Sequence, residues 1–377
     1  METRRFAQQN ISLLGLGAMR LPLQEDSKTA IDEIKAGEML DYALGHGINY
    51  IDTAYMYHGG ESESYLGRAL KAYDRSSYQL ATKLPVWMAK DTVDLEKIFQ
   101  EQLNRLQTEY FDFYLCHSLN QKNLDLARKY KAYEFMFRMK EEGRIRHLGF
   151  SFHDNPALLD EICKRYNWDF AQIQLNYIDW DFQKAKNQYE ILEYYGLPCI
   201  VMEPVRGGAL ADLCPEANSV LQAASPSRSI ASWALRFAAQ LPNVLTVLSG
   251  MSNIEQLQDN INTMTDFEPL SPQEEETLSK ALEIYRRTKL IPCTGCRYCM
   301  DCKQGVDIPK MFALHNEYRL GTSGDIYLEH YEATKRSQRE SNCTECGRCS
   351  EHCPQNIDIP TELRKTGEVI SELYKNR

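Results

Sequence analysis

The sequence predicts an α/β fold, a closed (β/α)8 barrel followed by a small, mainly helical, cysteine-rich domain. Three observations predict it. Strand-like apolar runs and helix-period stretches alternate eight times along the first two thirds of the 377 residues. No Gly-x-Gly-x-x-Gly run follows any of these strands, which disfavours a doubly wound dinucleotide-binding sheet. Eight of the 12 cysteines crowd into positions 293–353, past the last alternation.

Taken in order, Arg4 to Leu14 alternates polar and apolar residues and is expected to form a hairpin across the barrel floor. Barrel strands are expected at 12–16, 48–52, 78–83, 111–117, 145–150, 170–174, 197–202 and 244–249. Helices are expected near 36–46, 62–72, 94–107, 129–142, 156–166, 184–195, 228–240 and 253–263. The longest break, residues 203–227, opens with Glu203-Pro204-Val205-Arg206-Gly207-Gly208 and is expected to be a functional loop hinged at its glycines. Ser271-Pro272-Gln273-Glu274-Glu275-Glu276 is a well-formed helix start that leads out of the barrel. The expected division is a barrel over 1–268, a linker helix over 269–290 and a cysteine-rich domain over 291–377.

Composition narrows the function classes. A hydrophobic fraction of 43% fits a globular protein, and no apolar run approaches the length that spans a bilayer, about 20 residues. The run Met1 to Phe6 lacks the apolar core of a signal peptide, so the expected compartment is the cytoplasm. A net charge of −10 argues against nucleic acid as the main partner, and no membrane partner is expected.

The polar residues at strand ends carry the first chemistry. Asn49-Tyr50-Ile51-Asp52-Thr53 ends in an acid, and Tyr57 follows five residues after Asp52. Lys83 closes the run from Tyr78, and His117 closes the run from Phe111. An α/β barrel keeps its reacting groups at such carboxyl ends. A phenol ordinarily titrates at about 10, too high for efficient proton exchange near neutrality. An ammonium beside it favours the phenolate, a carboxylate holds the ammonium charged, and an imidazole can orient a carbonyl. With 22 tyrosines in the chain, one tyrosine alone says little. Three such residues at successive strand ends, with a tyrosine in the first connecting loop, point to proton transfer.

The cysteines carry the second. Cys116, Cys163, Cys199 and Cys214 are scattered and read as small buried hydrophobes. The run Cys343-Thr344-Glu345-Cys346-Gly347-Arg348-Cys349-Ser350-Glu351-His352-Cys353-Pro354 fits C-x2-C-x2-C-x3-C-P, an iron–sulfur spacing. The earlier block, Cys293, Cys296, Cys299 and Cys302, is one residue shorter before its last Cys and has Lys303 where Pro is usual. Zinc would be satisfied by two C-x2-C pairs, with no need for a third and fourth Cys in each block, although two zinc ions would use all eight. A disulfide scaffold fits a cytoplasmic chain poorly.

From about Asn10 to Thr265, some two thirds of the chain, the sequence resembles an aldo-keto reductase. Asp52, Tyr57, Lys83 and His117 match that family's tetrad in order and spacing, and the stretch Leu14 to Pro22 resembles its opening strand. The resemblance implies hydride transfer between NAD(H) or NADP(H) and a small carbonyl or alcohol substrate. Tyr57 would be the general acid, Lys83 would lower its pKa, Asp52 would hold Lys83, and His117 would align the oxygen. It also implies cofactor contacts at Gly17, Met19, Arg20, Ser151, Gln172, Met202, Ser249, Gly250, Met251, Gln256, Asp259 and Asn260. Ser151 and Gln172 match the positions that hold the nicotinamide amide, with Phe152 where an Asn usually follows. Met202 lies where an aromatic commonly stacks. Gly250 and Gln256 stand where many members hold the 2′-phosphate of NADP with cations, leaving Arg206 on the long loop as a candidate charge.

Residues 291–377 resemble a two-cluster ferredoxin of the helical kind, with about 40 residues between the blocks. Carried over, Cys293, Cys296, Cys299 and Cys353 would hold one [4Fe-4S] cluster, and Cys343, Cys346, Cys349 and Cys302 a second. Two clusters imply electron transfer and a redox partner protein. The alternative is a conventional carbonyl reductase whose clusters are structural, sensory or a docking module, because no flavin motif links hydride to single electrons.

Overall fold

The computed structural model describes Met1–Lys375, and its contacts divide the chain into two units. The first comprises Met1–Val205 and Ala231–Ser271; the second comprises Arg206–Ile230 and the chain from Pro272 onward.

In the first unit, β1 (Thr3–Phe6) and β2 (Gln9–Ser12) pair antiparallel as the expected hairpin. Phe6 plugs the floor, its ring 5.6 Å from Phe113 and 4.7 Å from His147. Eight parallel strands follow: β3 (Leu14–Gly17), β4 (Tyr50–Asp52), β5 (Gln79–Leu84), β6 (Phe111–Leu119), β7 (Ile145–Phe152), β8 (Phe170–Gln174), β9 (Cys199–Met202) and β10 (Val244–Ser249). They close in sequence order, with β10 pairing back onto β3. Helices cover one strand face and the barrel interior the other, so both faces are buried and the strands read as near-continuous apolar runs.

The covering helices are α1 (Glu33–Gly45), α2 (Glu61–Ala69), α3 (Thr92–Leu106), α4 (Gln121–Lys129), α5 (Ala132–Glu141), α6 (Pro156–Arg165), α7 (Asp179–Phe182) and α8 (Ala185–Tyr194). Helix α3 illustrates their logic. The Asp91 side chain accepts the Asp94 amide at the start, Gln107 ends the helix at a left-handed φ of 51°, and Leu95, Phe99, Leu103 and Leu106 form the buried stripe. The helix expected over 129–142 is α5, preceded by an additional helix, α4, from which Lys131, at a left-handed φ of 56°, separates it.

The expected linear division into 1–268, 269–290 and 291–377 differs from the observed grouping. The 203–227 segment contains α9 (Pro215–Ala224), which packs with α12 (Pro272–Arg286), so both fall in the second unit. The apolar faces decide this, with Ala217 and Leu221 of α9 buried, and Leu278, Ala281 and Tyr285 of α12. Between them, α10 (Ile230–Ala239) and α11 (Ile254–Thr265) complete the barrel. The second unit continues with α13 (Ile308–Arg319), α14 (Gly324–Glu332), the short α15 (Arg348–Glu351) and α16 (Ile359–Lys375). These enclose a small core that includes Ile308, Met311, Phe312, Tyr327, Leu328 and Leu363. Among the described residues no helix is long and apolar enough to cross a membrane.

Candidate active site

Three adjacent strands deliver the tetrad. Asp52 ends β4, Lys83 lies near the end of β5, and His117 lies near the end of β6. Tyr57 follows in the β4–α2 turn, where His58, Gly59 and Gly60 take positive φ values of 55°, 67° and 100° and swing the chain back over the barrel mouth.

Lys83 is the hub. Its Nζ donates to Asp52 Oδ1 at 2.6 Å and to the Thr53 carbonyl at 2.7 Å, and lies 5.2 Å from the centroid of the Tyr57 ring. The Tyr57 and His117 rings stand edge-on with centroids 6.4 Å apart, and the Trp87 ring lies 5.0 Å from that of His117. Asp52, Lys83 and His117 are buried, while Tyr57 is half-buried. Burial pushes the Asp52 carboxyl up and the Lys83 ammonium down, and the ion pair opposes both shifts. Burial, then the Lys83 charge, then His153 hold the His117 imidazole far below its usual range, hence neutral. Cys116, beside it, is pushed up to about 12 by burial and stays a thiol.

Sequence reading missed the layer behind Lys83. Glu63, fully buried in α2, accepts from Thr82 Oγ1 and Gln102 Nε2, each at 2.7 Å. Gln102 Nε2 also donates to the Lys83 carbonyl at 3.0 Å. This network fixes the backbone that carries the ammonium. Glu63 reads in the sequence as an ordinary first-turn acid; only burial reveals its role.

The residues matched to the cofactor fall into two groups in this unit. Ser151 and Gln172 sit side by side on β7 and β8. Ser151 Oγ accepts the amide of Ser118, which takes a left-handed φ of 54°, and Gln172 Oε1 is buried without a protein partner. Phe152, at the end of β7, is buried, and Met202, at the end of β9, is half-buried. The second group lies where β3 meets β10. A Cβ on Gly17 would sit 3.2 Å from the Ser249 carbonyl oxygen, and one on Gly250 would sit 3.0 Å from Arg20 Cδ. Arg20 therefore runs through the space a side chain at 250 would fill, with its guanidinium 3.8 Å from Glu203. Asn260 Nδ2 donates to Ser249 Oγ at 2.8 Å, and Met251 is buried. Gln256 is occupied in capping, since its amide donates to Asn253 Oδ1 and its Oε1 accepts from the Ser252 amide. Met19 is half-buried, and Asp259 lies on α11 one turn after Gln256. Arg206 belongs to the second unit, buried, with Nη2 directed at Gln355 Oε1.

In the second unit, Cys293, Cys296, Cys299 and Cys353 line one shared pocket. Burial, then Cys296, Cys293 and Cys353, push the Cys299 thiol up. Cys349 is likewise raised by burial, with smaller contributions from Cys343 and Cys302. The two blocks are therefore crossed in space, each group combining one Cys from one block with others from the second. Among the described residues no three such side chains close on a single-ion centre. Four cysteines from two sequence blocks around one pocket suit a four-iron cluster, which takes four thiolates.

A parallel barrel with this tetrad at its carboxyl end defines a barrel oxidoreductase. The chain belongs to the aldo/keto reductase family, whose family model matches residues 13–283, and a 4Fe-4S dicluster domain matches residues 292–357. It is 27% identical over 306 residues to L-galactose dehydrogenase of Arabidopsis thaliana, covering 74% of this chain and 92% of that protein. It is 27% identical over 284 residues to the uncharacterized oxidoreductase YqkF of Bacillus subtilis, covering 67% and 87%. The holo form of aldo-keto reductase AKR11C1 from Bacillus halodurans superposes with a TM-score of 0.60 at 26% identity, covering 74% of this chain and 96% of that one.

Proposed function

We propose that the protein is a cytoplasmic NAD(P)-dependent reductase that interconverts a small carbonyl compound and its alcohol, with two [4Fe-4S] clusters for electron transfer to or from a redox partner protein. The buried Lys83–Asp52 pair at 2.6 Å, with the Tyr57 ring over the ammonium and His117 alongside, carries the reading. Reduced nicotinamide, when bound, supplies hydride to the carbonyl carbon. Tyr57 Oη gives its proton to the carbonyl oxygen, and the Lys83 charge stabilises the phenolate left behind. The neutral His117 offers a ring N–H to the same oxygen, and Trp87 walls that side from water. The unpartnered Gln172 Oε1 suits the N–H of a carboxamide, with Ser151 Oγ beside it.

Cys293, Cys296, Cys299 and Cys353 are assigned to one cluster, and Cys302, Cys343, Cys346 and Cys349 to the other. Such clusters, when bound, exchange one electron at a time. Substituting Tyr57→Phe is expected to leave nicotinamide binding nearly intact while turnover falls 100-fold or more, on the order of general acid catalysis at 10²–10⁴. A variant that retains over about a tenth of wild-type turnover contradicts the assignment. Anaerobic addition of NADH or NADPH is expected to bleach the visible cluster absorbance. Unbleached clusters in an active enzyme would favour a structural or sensory role.

A further inference from the structure

Arg206 lies four residues past the end of β9, yet its side chain is committed to the cluster-bearing unit. It takes a left-handed φ of 50°, is only 4% exposed, and points Nη2 at Gln355 Oε1, 3.5 Å away. Gln355 is buried two residues past Cys353 and lines the pocket formed by Cys293, Cys296, Cys299 and Cys353. Thr294, between the first two of those cysteines, lines it too. Gly207, with φ of 68°, lies against Thr294 so closely that an added Cβ would fall 2.2 Å from the Thr294 carbonyl oxygen. Two consecutive residues thus abut the cysteine set from both ends of its sequence, one through Gln355 and one through Thr294.

We infer that Arg206 sets the reduction potential of the cluster held by Cys293, Cys296, Cys299 and Cys353, raising it relative to that of the other cluster. The inference rests on the two-cluster reading above. Reduction takes the oxidised cluster and one external electron to a cluster with one more negative charge, and no bond or proton changes. A guanidinium keeps its charge at all working pH values. Buried beside the pocket wall it is poorly screened, so it favours the more negative, reduced state. Net charge and exposure are among the levers a protein has over such potentials. The other cysteine set lacks the same enclosure: Cys346 is exposed, and the cation beside it, Arg348, is exposed and screened by water.

The test is an anaerobic dithionite titration of the full chain, followed by electron paramagnetic resonance, with iron and sulfide assayed in each sample. In Arg206→Gln, one couple should shift down while the other stays. At a fixed potential its reduced-to-oxidised ratio should fall about tenfold, which is about 59 mV for a one-electron couple. Arg206→Lys should recover most of that shift. Should Arg206→Gln fail to load iron, Gln355→Glu places a carboxylate against the guanidinium without removing it and should lower the same couple. Loaded clusters with no shift in either Arg206→Gln or Gln355→Glu overturn the inference alone, as does an equal shift of both couples. A wild-type chain without cluster signals overturns the domain reading together with it.

Discussion

At the scale of single residues, burial decides which groups work and which only constrain stability. Lys83 and Asp52 are both removed from water, and such a pair persists because each supplies the counter-charge that the other needs. For His153 burial alone acts, and it lowers the imidazole to about 4. An unfolded imidazole takes its proton near pH 6.5. Between those values the unfolded chain binds a proton that the folded chain refuses, so acid favours unfolding. The barrel should thus lose stability as the pH falls from about 6.5 toward 4, by up to about 1.4 kcal/mol per unit from this residue, and gain nothing from it above 6.5. Urea unfolding followed by tryptophan fluorescence at pH 7.5 and 5.5 checks this. The His153→Gln chain should show a flatter dependence, and equal slopes in the two chains would refute the assignment.

At the scale of elements, close approaches position the site. Helix α2 carries Glu63 and follows the Tyr57 turn, and it packs on α3 where Gly67 leaves no room: a Cβ there would lie 2.1 Å from the Arg105 carbonyl oxygen. Gly67→Ala should force α2 off α3 and cost roughly 1–3 kcal/mol, the usual range for overpacking. The drop would appear in the unfolding midpoint, and an unchanged midpoint would mean that the two helices tolerate separation. The meeting of β3 and β10 bears on cofactor choice. Gly250 leaves room for Arg20, Glu203 lies 3.8 Å from that guanidinium, and Gln256 is used in capping. A 2′-phosphate would meet a carboxylate near the one cation that this group supplies. NADPH is therefore expected to bind no more tightly than NADH, since each charge-assisted contact to the phosphate that is missing costs on the order of 1.5–3 kcal/mol. Parallel titrations at fixed ionic strength decide it, and a tenfold advantage for NADPH would sink the expectation.

At the scale of the whole molecule, the two units depend on different forces. The barrel buries a large apolar core; the second unit has a small one that includes Cys299 and against which Cys293, Cys302, Cys343, Cys349 and Cys353 pack. Because each cysteine group draws on both sequence blocks, clusters would tie residues near 293 to residues near 353 and stabilise a unit of that size. Anaerobic protein should contain about eight iron and eight sulfide per chain, from two four-iron clusters, and little zinc. Oxidative removal of the iron should melt helices of the second unit, seen as lost far-ultraviolet dichroism, while the barrel still binds nicotinamide. Two zinc and no sulfide would refute the cluster reading, and full retention of dichroism would refute the stapling role.

The sequence by itself determined the barrel and the cysteine-rich 4Fe-4S domain that follows it, because strand alternation and C-x2-C spacing are local patterns. The strand at 170–174 and that at 244–249 are legible to the residue for that reason. Other features depended on contacts between residues distant in the chain, which spacing does not encode. Only the tertiary structure showed that the segment after β9 holds α9, and that α9 and Arg206 belong with the cluster-bearing residues. Glu63 was equally hidden, since a buried carboxylate and an exposed one look alike in a helix's first turn until packing, here against Gln102, removes the water from one of them.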